Sequence, residues 1–128
     1  MFEINGTKWN IEFVPVTSPF LTRSDGSQSV GVTDANTSTV YLSNRLKGAF
    51  LRRVTAHELC HCFCFSFNIH MPMEQEEYLA DWVSLYGTDL IYLLDDLMGN
   101  LNVCQAKHDG SISVSTGENK GYNISAGI

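Results

Sequence analysis

A chain of 128 residues with 44% hydrophobic content is long enough to bury one core without disulfide staples, and it reads as a single α+β domain. Eight basic against fourteen acidic side chains leave a net charge of −6, which is not the electrostatic footprint of a nucleic-acid binder. No apolar run approaches the ~20 residues that cross a bilayer and the amino terminus carries no signal pattern, so the expected setting is soluble and cytoplasmic, away from membranes.

Residues 8–16 place Trp9, Ile11 and Phe13 on one side and Asn10, Glu12 and Val14 on the other, the period-two pattern of a half-buried strand that Pro15 ends or confines to an edge. Residues 17–29 are rich in Ser, Thr, Asp and Gly and form a loop of the length at which function becomes a reasonable expectation. Two short β-prone runs, 29–33 and 38–43, flank the turn-forming Asp34-Ala35-Asn36-Thr37 and predict a hairpin.

A helix follows over 45–67, with Ser43 or Asn44 as its cap and Gly48 as a weak point. Leu46, Phe50, Val54, His57, His61 and Cys64 recur along it at helical spacing and predict its inward face. Among its neighbours Arg45, Lys47, Arg52 and Arg53 read as solvated helix surface. Cys60, Cys62 and Cys64 alternate where no disulfide ladder is sensible, and they read as reduced, packed thiols.

After a break at 68–72, a second helix is expected over 73–98, with Glu74, Glu76 and Glu77 near its positively polarised start. Leu79, Val83, Tyr86, Leu90, Leu93 or Leu94 and Leu97 make one stripe, widened by Trp82, Leu85 and Tyr92, which predicts a largely buried helix. Gly87 suggests a close helix crossing. Residues 99–128 read as a flexible tail, with a short strand over 112–114.

The chemistry lies in His57-Glu58-Leu59-Cys60-His61. Residues four apart share a helix face, so two imidazoles can grip one metal ion while Glu58 projects beside them. A catalytic zinc takes three protein ligands and keeps a fourth position open. The extended motif with a third histidine is excluded, because Cys64 and Phe67 stand where its glycine and histidine would be. Glu77 and Asp81, four apart on the next helix, supply an alternative in which Glu77 binds metal and Asp81 fixes an imidazole tautomer, and that pairing prefers Glu77 to Glu74 and Glu76 as the third ligand. Cys64 is the reserve ligand, and a closed structural zinc site using it is a third possibility. His70, His108, Tyr78 and Tyr86 are the candidates to steady an oxyanion.

The motif helix followed by Glu77-Tyr78-Leu79-Ala80-Asp81 resembles the gluzincin-type metallopeptidases, and more narrowly the short ImmA/IrrE-like proteins of phages and mobile elements. Gly31-Val32-Thr33-Asp34, Thr39-Val40-Tyr41-Leu42 and Leu51-Arg52-Arg53-Val54 extend the likeness over roughly residues 29–98. The resemblance implies a minimal zincin-like domain, a small antiparallel sheet with the motif helix packed on a second long helix. It also implies Zn2+ held by His57, His61 and Glu77, Glu58 as general base, and a protein or peptide substrate, with a regulatory protein as one such target. The competing expectation is a non-catalytic binding protein on the same scaffold.

Overall fold

The computed structural model describes residues 1–107, and side chains to residue 101. The residues after 107, with the strand expected at 112–114 and the rest of the tail, lie outside the described part. The fold is α+β, with a four-stranded sheet and two helices. Met1–Thr88 form one compact unit, which holds the sheet and the candidate site, and a second unit begins at Asp89.

The first strand, β1 (Phe2–Ile4), was not expected. It turns back on β2 (Thr7–Val14) through Asn5-Gly6, both with positive φ, 48° and 83°. Asn-Gly between apolar residues is the sequence signal for such a two-residue hairpin, so β1 was there to be read. A 3₁₀ turn at Pro19–Leu21 follows, capped by Ser18. Then come β3 (Gly31–Asp34) and β4 (Thr39–Ser43), paired antiparallel as the hairpin expectation requires.

The sheet order is β1-β2-β4-β3. β4 runs parallel to β2, Ile11 opposite Val40 and Phe13 opposite Leu42. The sheet is therefore mixed, not antiparallel throughout. The cause is the long connection from β2, which carries the chain past β4 and lays down β3 first, so that β4 enters the centre in the direction of β2. All five residues of β4 are buried, which suits a strand paired on both sides, by β2 and by β3.

Helix α1 (Gly48–Ser66) starts three residues later than the sequence suggests. Lys47 occupies the cap without a side-chain hydrogen bond, Gly48 takes φ +59°, and Ser43 Oγ instead accepts from Arg45 N in a local turn. The glycine is thus the entry to the helix rather than a flaw inside it, since only a residue without Cβ adopts that conformation freely. At the far end Trp9, fully buried, donates from Nε1 to Ser66 Oγ at 2.8 Å, and Asn5 Nδ2 donates to Ser66 O at 3.1 Å.

Both sides of α1 are packed. Val54 and Cys62 join Ile4, Trp9, Val40, Leu42 and Leu46 on the sheet side, while Cys60 and Cys64 meet Ala80 with Met71 and Val83 on the other. A helix buried on opposite faces cannot show a single apolar stripe. Phe50, expected on the inner stripe, is accordingly 54% exposed. Ile11 and Phe13 are also exposed, because the sheet-side core is filled by Trp9, Val40 and Leu42.

Helix α2 runs over Met73–Lys107, nine residues beyond its expected end. It is not largely buried. Of its residues up to Thr88 only Ala80 is fully covered, and Leu79, Trp82, Leu85 and Tyr86 are exposed. Leu90 and Leu94 further along are exposed too. A periodic stripe reports what a helix could bury; the cysteine side of α1 presents only small side chains, and Ala80 is what fits between them. Gly87 marks no crossing, since the nearest atom to an added Cβ is Val83 of its own helix.

β3 approaches α1 most closely at Gly31, where a Cβ would lie 2.8 Å from Val54 Cγ1, 3.2 Å from Glu58 Cγ and 3.3 Å from Leu42 Cδ2. Gly31→Ala should therefore destabilise the fold by about 1–3 kcal/mol in urea unfolding, and Val54→Ala in the same chain should recover part of the loss. The buried thiols give a second expectation. Removal from water pushes Cys60 and Cys62 up from 9.0 to about 12, with Cys64 adding to the rise at Cys60 and a Thr33 hydrogen bond opposing it at Cys62. The folded thiols hold their protons more tightly than unfolded ones, so their contribution is complete below pH 9 and is lost as pH climbs toward 12. Denaturation midpoints measured across that window should fall, and less steeply in Cys62→Ala.

Candidate metal centre

One helical turn separates His57 from His61, and both rings point from α1 toward the first turns of α2. His57 Nε2 lies 3.1 Å from Glu77 Oε2, His61 Nε2 lies 3.1 Å from Glu77 Oε1, and the two Nε2 atoms are 3.3 Å apart. Among the described residues, His57, His61 and Glu77 form the cluster able to hold a metal ion, with one ligand atom from each within 4.8 Å of the others.

The opposite ring nitrogens decide what these three groups can do. His57 Nδ1 is 2.9 Å from Asp81 Oδ1, and His61 Nδ1 is 2.5 Å from Glu76 Oε2. A carboxylate only accepts, and one faces each ring at Nδ1 while Glu77 faces both Nε2 atoms. With the protons on Nδ1, two Nε2 lone pairs and the Glu77 carboxylate converge across about 3 Å, an arrangement that a cation between them would relieve. A metal bound at about 2.0–2.1 Å in a tetrahedral site spaces its ligand atoms about 3.3 Å apart. The 3.3 Å between the two Nε2 atoms matches that edge, and each Nε2 meets a different oxygen of Glu77 at 3.1 Å, so the three groups stand close enough to hold a metal ion.

Asp81 thus makes the imidazole contact expected of it, although its side chain is 64% exposed. Glu76 was weighed in the sequence only as a rival to Glu77 for the metal. It instead mirrors Asp81 on the second histidine, from a more sheltered position at 18% exposure. Its neighbour Glu77 reaches the metal position because successive helix residues are rotated by about 100°, which sends the two carboxylates to opposite nitrogens of one ring. Glu74 is exposed and takes no part. Cys64 is packed with Cys60 and Ala80, away from any ligand role that Glu77 leaves open.

Glu58 is buried, 5% exposed, on the sheet side of the ligand pair. Oε2 stands 4.0 Å from His57 Nε2, and Oε1 accepts from Thr33 Oγ1 at 2.8 Å. Thr33 also lies 3.2 Å from the Glu58 carbonyl oxygen and can serve only one acceptor at a time with its single proton. This tie from β3 was not visible in the sequence, since it depends on the hairpin register. Its effect is to hold one carboxylate oxygen and leave the other beside the metal position.

Two cavities flank the centre. One of about 610 Å³ is bordered by Thr33, Glu58, His61, Phe65, Ile69 and His70. The other, about 260 Å³, lies on the His57 side with Arg23, Val30, Phe50, Arg53 and Asp81 in its walls. Of the groups considered for an oxyanion, His70 lines the larger cavity, Tyr78 and Tyr86 are exposed and line neither, and His108 lies outside the described residues.

Removing either imidazole partner should weaken metal binding without unfolding the chain. Glu76→Ala should cost roughly 10–100-fold in affinity by competition with a chelating dye, and Asp81→Ala should fall at the low end of that range because solvent already weakens its hold. Equal, unchanged affinities in both variants would refute the tautomer assignment. Searches against protein-family models, curated proteins and solved structures gave no match for this chain.

Proposed function

We propose that the protein is a zinc-dependent endopeptidase. The observation that carries this reading is the convergence of three electron-pair donors, each imidazole set by its own carboxylate, with the Glu58 carboxylate beside them. Zinc suits two imidazoles and a carboxylate, and with three protein ligands it would keep a fourth position free. When bound it would lower the pKa of water toward ~7 and polarise a carbonyl.

The chain's own groups supply the rest. Glu58 takes a proton through the oxygen that Thr33 leaves free and returns it to the departing amine, a role for which burial and a fixed rotamer are both useful. β3 is the sheet edge next to the centre, with Gly31 and Thr33 bordering the cavities, so an extended peptide can add to it as a fifth strand and lie across the metal position. His70, which borders the larger cavity, is the candidate to donate to the carbonyl oxygen. The free, buried Cys60, Cys62 and Cys64 support a reducing, cytoplasmic setting. Among the described residues no helix is long and apolar enough to cross a membrane. The resemblance to ImmA/IrrE-like proteins adds a regulatory protein as the class of substrate.

A non-catalytic binding protein on this scaffold is the other reading, and Glu58 separates the two. Purified protein should contain one zinc per chain by elemental analysis, and His57→Ala should lose it. Glu58→Gln should keep fold and zinc, since the amide is nearly isosteric, and lower cleavage about 10²–10⁴-fold. Used as a trap in a lysate, the Glu58→Gln protein should retain partners that wild type then cuts. Partners held equally by both and never cut would favour the binding protein.

A further inference from the structure

The cavity on the His57 side differs in chemistry from its larger neighbour. Arg53 stands one helical turn before His57 on α1, and Phe50 nearly a turn before that, so the three share a face that floors the cavity. Among the described residues no hydrogen bond or ion pair engages the Arg53 guanidinium. Arg23, from the loop that precedes β3, forms another wall; its guanidinium donates to Ser29 Oγ at 3.2 Å, and its charge adds to the Ser27 hydrogen bonds that lower the pKa of the neighbouring Asp25, which does not line this cavity. The carboxylates in the same walls are already engaged, Asp81 by His57 Nδ1 and Glu58 by Thr33. An exposed guanidinium with no partner among the described residues, in the wall of this cavity and in a protein of net charge −6, is free to receive an anion, and its planar fork matches a carboxylate in particular.

We propose that the cavity walled by Arg23, Val30, Phe50 and Arg53 is a subsite that binds a carboxylate of the substrate peptide on the C-terminal side of the bond cut. The direction follows from β3. A peptide pairing antiparallel with Gly31–Asp34, the more stable arrangement, enters past Thr33 and leaves past Gly31, beside the arginines. Its N-terminal half lies along Phe65, Ile69 and Met73, which border the larger cavity and suit an apolar side chain. The carboxylate is an Asp or Glu side chain or the peptide's own C-terminus. Calling its bearer a substrate rests on the peptidase reading; recognition of the carboxylate does not.

The test uses zinc-loaded Glu58→Gln protein, immobilised and offered two random octapeptide pools, one with amidated and one with free C-termini. Retained peptides are sequenced by mass spectrometry. Peptides with a carboxylate in the C-terminal half should be enriched roughly 10–100-fold over neutral ones, less so at high salt. Enrichment of Asp and Glu in the amidated pool identifies a side chain, and enrichment confined to the free pool identifies the terminus. Arg53→Gln should abolish the preference while leaving apolar selection intact, and Arg53→Lys should restore part of it. An unselective pool, no retained pool, or a preference indifferent to Arg53→Gln overturns the proposal. Selected peptides that wild type never cuts would instead overturn the peptidase reading and leave the subsite standing, whereas cutting with no carboxylate preference would do the reverse.

Discussion

The protein is organised around a close convergence. Two imidazoles, each with a carboxylate at its outer nitrogen, turn their Nε2 atoms toward each other and toward Glu77. The rest of the unit holds these three groups at 3.1–3.3 Å. α1 carries the histidines and is fixed between the sheet and the first turns of α2. α2 contributes all three partnering carboxylates, Glu76, Glu77 and Asp81, within two turns.

Small side chains make that proximity possible. Cys60 and Cys64 meet Ala80 where larger residues would hold the helices apart, and on the other side Gly31 lets β3 come within contact of Val54 and Glu58. The alternation of cysteines follows from α1 having two buried faces. Cys62 turns to the sheet and its neighbours turn to α2, so one residue type of modest volume serves both packing layers.

The site was more legible than the fold. Helical spacing alone brings His57 and His61 together and sets Asp81 one turn from Glu77, because those relations are local and survive any error in packing. Glu76 and Thr33 escaped for opposite reasons. Glu76 is adjacent to Glu77 and looked like a competitor until the ring orientation of His61 gave it a different nitrogen. Thr33 reaches Glu58 only through the register of β3 against β4. Arg53 is exposed, as its basic turn of helix predicts, and what the sequence does not say is that it borders a cavity together with Arg23. The parallel pairing of β2 with β4 was missed because strand periodicity carries no direction, and the exposed length of α2 because a periodic stripe states capacity, not coverage.

Among the described residues β3 is an edge strand, and it borders the cavities beside the candidate metal centre. Unpaired backbone groups of this kind invite other chains of the same protein as readily as they invite a peptide, and edges are ordinarily shielded against such pairing. Shielding this one would close the cleft. The strand is instead kept to four residues, begins at a glycine and ends at the charged Asp34, which limits how many rungs an unwanted partner can form. The brevity of β3 thus bounds the self-association that an exposed edge would otherwise promote, and on the proposed function it would also bound how much of a peptide's hold could come from main-chain pairing, leaving selectivity to the side-chain cavities at either end.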